Sequence, residues 1–267
     1  MNYTENENNI EFIKKQVESV TKATRVHINR IIALASMIEH SEETADREIV
    51  SDLLLSCYKL LSQNMNMMYL YSKEIAGPGA VISAEEFLKG IIGTCTKMLE
   101  SVDLKLQLDI KCKRSEIKVD EKAFILAVMN LLQNALLNSP PNAAVKVVLE
   151  NISVQNRSFV CISVNNIPGM DGINSGRDKE ECSGLGIILS MKIAERYGGK
   201  FELVDERGVI NAKLMFPLQK EDFAMGLSSS FADFYDIDTE RYNMVVVFMQ
   251  EVLKRTMATQ CRRAVQN

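Results

Sequence analysis

The chain contains no tryptophan, only five prolines and only two histidines, His27 and His40. Two histidines give little material for a zinc site, and the six cysteines are scattered without a Cys-x-x-Cys pair. Several cysteines fall on apolar helix or strand patterns, which is typical of buried, reduced thiols. We therefore expect neither a zinc site nor a disulfide framework.

The sequence also lacks an excess of positive charge and any apolar run long enough to span a membrane. Its 31 basic residues are outnumbered by 35 acidic ones, which gives a net charge of -4. No strong basic field marks it as a nucleic-acid binder. The polar start, residues 1–12, has no apolar core of the kind that signal peptides contain. We expect a cytoplasmic protein that binds neither nucleic acid nor membrane.

The most distinctive stretch that is present is SGLGIILSMKIAERYGGKF, residues 183–201. Gly184 and Gly186 open an apolar helix pattern that ends at Gly198 and Gly199. Glycines at a helix start let backbone N–H groups approach an anion, and the helix dipole favours negative charge there. The pattern predicts a phosphate-binding turn, and plain helix packing is the alternative interpretation.

A second stretch, residues 120–140, reads DEKAFILAVMNLLQNALLNSP. Asn130 and Asn134 are four positions apart and therefore share one face of the predicted helix. Asparagine is a poor residue for a helix interior, so its repetition on one face needs a reason. Neutral amide oxygens suit Mg²⁺ that arrives with a phosphate chain. The alternative is a solvated polar face.

Together the two stretches resemble the ATP-binding domain of sensor histidine kinases, in the superfamily shared with gyrase and the ninety-kilodalton heat-shock chaperone. NLLQNA, from Asn130, resembles the asparagine box, and SGLGI…GG resembles the second glycine box. The resemblance covers roughly residues 81–218. It implies that Asn134 is a Mg²⁺ ligand and that Asn130 is a catalytic position. It also implies that ATP is held by Ser183, Gly184, Leu185 and Gly186.

The first glycine box departs from the family pattern Asp-x-Gly-x-Gly, because the matching stretch is Asn165-Asn166-Ile167-Pro168-Gly169. Asn165 would accept a hydrogen bond from the adenine without charge assistance. Ile167 replaces a glycine, and Leu137 stands where a lysine or histidine often reaches the phosphates. Only fifteen positions separate Gly169 from Gly184, too few for a full ATP lid. We expect a weakened nucleotide site at Asn165 and Gly169.

Two long helix patterns, residues 8–40 and 45–76, precede this region. The positions on the predicted inward seam of each helix alternate in steps of three and four. These positions are Ile13, Val17, Val20, Thr24, His27, Ile31, Leu34 and Ile38, then Val50, Leu54, Cys57, Leu61, Asn64, Met68, Tyr71 and Ile75. The pattern predicts an antiparallel helical hairpin that pairs with a second copy as a four-helix bundle. The same architecture forms the dimerisation and phosphotransfer domain of histidine kinases.

His27 lies in VHINR, where kinases of this family often have His-Glu-x-Arg. Arg30 fits that pattern, but Ile28 replaces the acidic neighbour that helps the imidazole to attack a γ-phosphate. His27 also falls on the inward seam of its helix, where it would set the helix register with Thr24 and Asn64. The two interpretations, phosphoacceptor and seam residue, are both open.

Gly77-Pro78-Gly79 breaks the second helix pattern. The elements that follow predict an α+β sandwich with a mixed sheet and helices on one face. We predict a helical hairpin at 1–78, an ATP-binding-type domain at 79–218, and a C-terminal acidic segment and helix at 219–267. The last helix, expected over 239–257, either docks on its own domain, binds a partner or extends the dimer.

The resemblance implies a component of bacterial two-component signalling. Such a protein moves the γ-phosphate of Mg-ATP to a histidine, here His27, and then to the receiver domain of a response regulator. The altered first glycine box favours a second interpretation, a pseudokinase that acts as an ATP-independent histidine phosphotransferase or as a dimeric scaffold. A third, an anti-sigma-type serine kinase, is disfavoured because Asn130 replaces its catalytic glutamate.

Overall fold

The computed structural model describes residues 24, 27, 30–31, 33–34, 47–71, 77–168, 184–219 and 244–266. The six residues described before position 47 have helical backbones. The later elements are α1 (Arg47–Tyr71), β1 (Ala80–Ser83), α2 (Ala84–Leu99), β2 (Lys105–Ile110), β3 (Glu116–Val119), α3 (Glu121–Asn138), β4 (Ala144–Val154), β5 (Arg157–Asn166), α4 (Leu185–Arg196), β6 (Lys200–Glu206), β7 (Val209–Pro217) and α5 (Met244–Gln266). Gly169, Ser183 and His40 lie outside the described residues.

The main sheet has five strands in the order β2-β4-β5-β7-β6. Strand β2 runs parallel to β4, and the remaining pairs are antiparallel. Strands β1 and β3 form a separate antiparallel pair. The mixed sheet of the predicted α+β sandwich is therefore confirmed.

The core lies between this sheet and helices α2, α3 and α4. Alternate residues of β4, β5 and β7 point into it, as expected from the two-residue period of a strand, and all are almost fully buried: Val145, Val147, Leu149, Val160, Ile162, Val164, Ala212, Leu214 and Phe216. The other face of the sheet carries a small separate cluster of Phe159, Cys161 and Met215.

Two helices begin where the sequence supplies a capping side chain. Ser83 Oγ accepts a hydrogen bond from the Glu86 N–H at 3.2 Å at the start of α2, as expected of a serine at the N-cap. Asp120 caps α3 by accepting from the Ala123 N–H at 2.9 Å. These caps fix where the asparagine-bearing helix starts.

The glycine pair after α4 has a packing role. Gly198 has φ 74°, the left-handed conformation that commonly ends helices. A Cβ on Gly199 would collide with the backbone oxygen of Met215, so the chain turns tightly against β7 there.

Helix α1 does not bury the stripe that the sequence pattern suggests. Of the predicted seam, Val50, Leu54 and Met68 are 37%, 38% and 56% exposed. The buried stripe lies one or two positions later in the sequence than the predicted seam, and it contains Leu55, Ser56, Lys59, Ser62, Asn66 and Tyr69. Ser62, Asn66 and Tyr69 have hydrogen-bond partners on other parts of the chain, which the spacing of apolar residues alone does not reveal. Within one chain these three seam positions, Val50, Leu54 and Met68, stay exposed, and the pairing with a second copy that would cover them stays a prediction.

Helix α5 packs against α1, α2 and α3. Of the alternatives that the sequence left open, docking on its own chain is the one that this arrangement supports. None of the helices described here is long and apolar enough to cross a membrane.

Candidate nucleotide and phosphotransfer site

The glycine-opened helix α4 lies directly against the asparagine helix α3. A Cβ on Gly186 would collide with the side-chain oxygen of Asn130, so only glycine allows this approach. One turn further along α4, Ser190 Oγ donates a hydrogen bond to the Ala127 carbonyl of α3 at 3.1 Å, and this bond also holds the two helices together. The two sequence stretches that predict a nucleotide site are therefore neighbours in space.

The first turn of α4 offers backbone rather than side-chain groups. Gly184 is exposed and has φ 62°, a left-handed conformation that glycine adopts without strain. Leu185 is 1% exposed, so its side chain belongs to the core. A phosphate at this turn would meet N–H groups at the positive end of the helix dipole, as the resemblance implies.

Asn134 is exposed on α3, as a Mg²⁺ ligand must be. Its side-chain oxygen accepts a hydrogen bond from Asn138 Nδ2 at 3.1 Å. An amide oxygen has a second lone pair, and oxygen atoms are the ligands that Mg²⁺ prefers. Asn134 and the start of α4 therefore fit the metal and phosphate parts of a Mg-nucleotide.

Asn130 is in a different environment, because it is 4% exposed. Its Nδ2 donates to Asn66 Oδ1 at 2.8 Å and to the Leu126 carbonyl at 2.9 Å. Its Oδ1 accepts from Asn66 Nδ2 at 2.9 Å. Both amide protons and the oxygen are thus engaged within the protein. In this arrangement Asn130 joins α3 to α1, and its catalytic role stays a prediction.

Asn165 lies on the sheet face away from the helices. It alternates with Val164, which belongs to the main core, and its Nδ2 donates to the Lys146 carbonyl at 3.3 Å. Asn166, the next residue, is 5% exposed and shares the helix-facing side of β5 with Val164. The structure thus brings Asn130, Asn134, Gly184, Leu185 and Gly186 to one pair of helices, while Asn165 lies on the other face of the sheet.

His27 is fully buried, at 0% exposed. This agrees with the inward seam position assigned from the sequence. Arg30, one turn later, donates from Nη2 to Asp52 Oδ2 at 3.1 Å and so ties this first helical segment to α1. A phosphoaccepting histidine must meet its donor, so the role of His27 as phosphoacceptor stays a prediction.

A tyrosine and an aspartate connect the end of α1 to the start of α3. Tyr69 donates from its hydroxyl to Asp120 Oδ1 at 2.9 Å. Burial and then the Asp120 carboxylate raise the pKa of Tyr69 far above its ordinary value, so the hydroxyl stays protonated and donates. Nearby, Tyr197 donates to the Gly77 carbonyl at 3.2 Å and fixes the chain after α1.

The C-terminal helix contributes a buried carboxylate that sequence analysis missed. Glu251 is 7% exposed, and its Oε2 accepts from Gln133 Nε2 at 2.9 Å and from Ser62 Oγ at 3.3 Å. Glu251 stands between Phe248 and Val252 of an apolar helix pattern, and a charged residue in that position is the only signal the sequence offers. Sequence analysis also missed Asn66, which lies in the buried stripe of α1.

The parts of the chain that the structure describes hold no cluster of three or more histidine, cysteine, aspartate or glutamate residues suited to a metal ion. A magnesium site here would depend on the amide oxygen of Asn134 and on the phosphates of the nucleotide itself.

The described part of the chain has a mixed five-stranded sheet with helices on one face, preceded by the long helix α1, and solved structures of histidine kinases match this fold. Histidine kinase AdeS of Acinetobacter baumannii aligns with a TM-score of 0.54 and 12% identity over 73% of this chain and 97% of its own. Histidine kinase ThkA, in complex with the response regulator protein TrrA, aligns with a TM-score of 0.58 and 17% identity over 81% of this chain and 66% of its own. No protein-family profile matches the sequence, and no curated protein sequence does so.

Proposed function

We propose that the chain is a histidine-kinase-like component of bacterial two-component signalling with a weakened nucleotide site. We assign residues 1–78 to a dimerising helical hairpin, 79–218 to an ATP-binding-type domain and 219–267 to a C-terminal extension. If it is active, it moves the γ-phosphate of Mg-ATP to His27, and because His27 is buried in the described arrangement, that transfer requires the imidazole to become exposed. We place it in the cytoplasm, in keeping with the composition of the sequence.

The observation that carries this proposal is the burial of His27 in a chain that keeps the histidine kinase fold. The imidazole is 0% exposed, and the segment that bears it is tied to α1 through Arg30 and Asp52. Proton transfer and nucleophilic attack both require the reacting atoms to approach within hydrogen-bond reach. Phosphotransfer at His27 therefore requires a rearrangement that exposes it.

The nucleotide site is only partly preserved. We assign Mg²⁺ to the exposed side chain of Asn134 and the phosphates to the N–H groups at the start of α4. When bound, Mg-ATP would supply the γ-phosphoryl group and the positive charge that neutralises it. Asn165 faces away from the helix layer and Ile167 is 61% exposed, so the adenine side of the site lacks its expected acceptor. These features favour weak binding.

The proposed partner is the receiver domain of a response regulator. ThkA, which shares the fold, is in complex with the response regulator protein TrrA. We propose that this chain acts on a receiver domain and that it does so as a homodimer.

A titration with a fluorescent ATP analogue tests the nucleotide site. We expect binding that is weak, that requires Mg²⁺, and that Asn134→Ala lowers at least about tenfold, since a charge-assisted contact contributes about 1.5 to 3 kcal/mol. Asn151→Ala, an exposed change on β4, is the matched control and leaves binding unchanged. Tight binding that Asn134→Ala leaves intact would remove the site assignment.

The second candidate is the pseudokinase, which receives phosphate at His27 from a phosphorylated receiver domain or acts by binding alone. The specific observation in its favour is Asn130, whose amide is fully engaged by Asn66 and by the Leu126 carbonyl. An asparagine-box residue that serves as a helix contact is not free to assist ATP chemistry. The two candidates differ in the source of the phosphate on His27.

A further inference from the structure

Helix α5 lies across three other helices, α1, α2 and α3. Its residues Val245, Phe248 and Val252 are at most 1% exposed and belong to the main core. Over residues 244–253, one side of this helix thus belongs to the main core.

One carboxylate of α5 joins two of these helices. Glu251 Oε2 accepts from Ser62 on α1 at 3.3 Å and from Gln133 on α3 at 2.9 Å. Gln133 also donates to the Phe248 carbonyl at 3.3 Å. Hydrogen bonds to a charged group are stronger than neutral ones, so Glu251 fixes α1 relative to α3 through α5.

A second polar contact holds α1 against α3 directly, through the reciprocal bonds of Asn66 and Asn130. Amides and hydroxyls regain hydrogen bonds to water when they separate, so a polar interface opens at a lower cost than an apolar one of the same area. These polar contacts of α1 are therefore suited to reversible separation, provided that α5 also moves and that Met65, Tyr69 and Leu70, which pack against the main core, separate with them.

We propose that α5 is an intramolecular clamp. When docked, it holds α1 against α3 and keeps Asn130 in its bonds with Asn66. When released, it lets α1 leave, and the face of α3 that carries Asn130 becomes exposed to water. The clamp is a property of the conformation and stands whether or not the protein uses ATP.

The absence of tryptophan makes a clean reporter possible. Met65 lies on α1, half-buried and packed against the core, so Met65→Trp places a single indole at the contact. In this background we compare Val252→Asp, which puts a carboxylate at a fully buried position of α5, with Gln250→Asp, a half-buried control on the same helix. A buried unpaired charge should lower the docked population at least about tenfold.

The expected result is a red shift of the indole emission in Val252→Asp and none in Gln250→Asp. Amide hydrogen exchange of β5 is measured on the same samples, and its protection must persist, which separates release of α1 from unfolding. Because Val252→Asp is severe, Glu251→Ala serves as a milder second variant that removes both bridging bonds. Unchanged emission in Glu251→Ala, or a red shift that appears only when β5 loses protection, overturns the proposal.

Discussion

At the scale of single residues, the direct contact between α1 and α3 depends on two asparagines, Asn66 and Asn130, whose side chains bond to each other. Asn130 is predictable from the sequence as a special residue, because its motif is local. Its partner Asn66 is not, because a hydrogen bond between residues 64 positions apart leaves no pattern in either segment. The sequence also did not predict on which face of the sheet Asn165 lies, because that depends on which residues of β5 point toward the helices.

The asparagine pair predicts a loss of stability when one partner is removed. Asn66→Ala leaves a buried donor and acceptor of Asn130 unsatisfied, which should lower the free energy of unfolding by about 1 to 3 kcal/mol. Asn64→Ala, on the exposed side of the same helix, should change it by less than about 0.5 kcal/mol. Urea denaturation measures both. Equal effects of the two changes would mean that the pair contributes nothing specific.

Two helical glycines give a second prediction with opposite signs. Gly186→Ala adds a methyl group against the side chain of Asn130, and such overpacking should cost about 1 to 3 kcal/mol. Gly93→Ala, in the exposed interior of α2 with nothing within 4 Å of the new Cβ, should stabilise by about 0.5 to 1 kcal/mol. Thermal melts of the two variants should shift in opposite directions. A tolerated Gly186→Ala would show that α3 and α4 are less closely packed.

At the scale of elements, the sheet and its helices were largely predictable from the sequence. Strand alternation and helix periodicity are local signals, and they predicted the mixed sheet with helices on one face that the structure shows. The sequence predicted that α1 is a helix, but it did not predict which face of α1 is buried. That face includes Ser62 and Asn66, whose hydrogen-bond partners lie on α5 and α3, far away in the sequence. The docking of α5 depends on the same long-range contacts.

The exposed stripe of α1 supports the prediction of a homodimer. Val50, Leu54 and Met68 share the spacing of the predicted seam and are left exposed by the single chain. A second copy that covers this stripe would bury them. Leu54→Glu should therefore shift sedimentation toward the monomer at micromolar concentration, while Lys97→Glu on α2 should not. An intact protein that sediments as a monomer would remove the four-helix-bundle argument.

The whole molecule combines the fold of histidine kinases with a histidine, His27, that is buried. The histidine kinase fold brings the asparagine helix and the glycine-opened helix together, and the contacts of α1 and α5 close over one side of that pair. His27 is buried on the same chain. A protein of this arrangement is expected to respond to its partner domain more readily than to ATP.

The most direct test of this claim is the source of phosphate on His27. The protein is incubated with labelled Mg-ATP and, separately, with a labelled phosphorylated receiver domain, and acid-labile phosphate is counted. The account predicts little label from Mg-ATP. If the receiver domain induces the rearrangement that exposes His27, it labels the protein, and His27→Gln abolishes that label while His40→Gln preserves it. Ready labelling of His27 by Mg-ATP that Asn134→Ala stops would contradict it and show a working kinase.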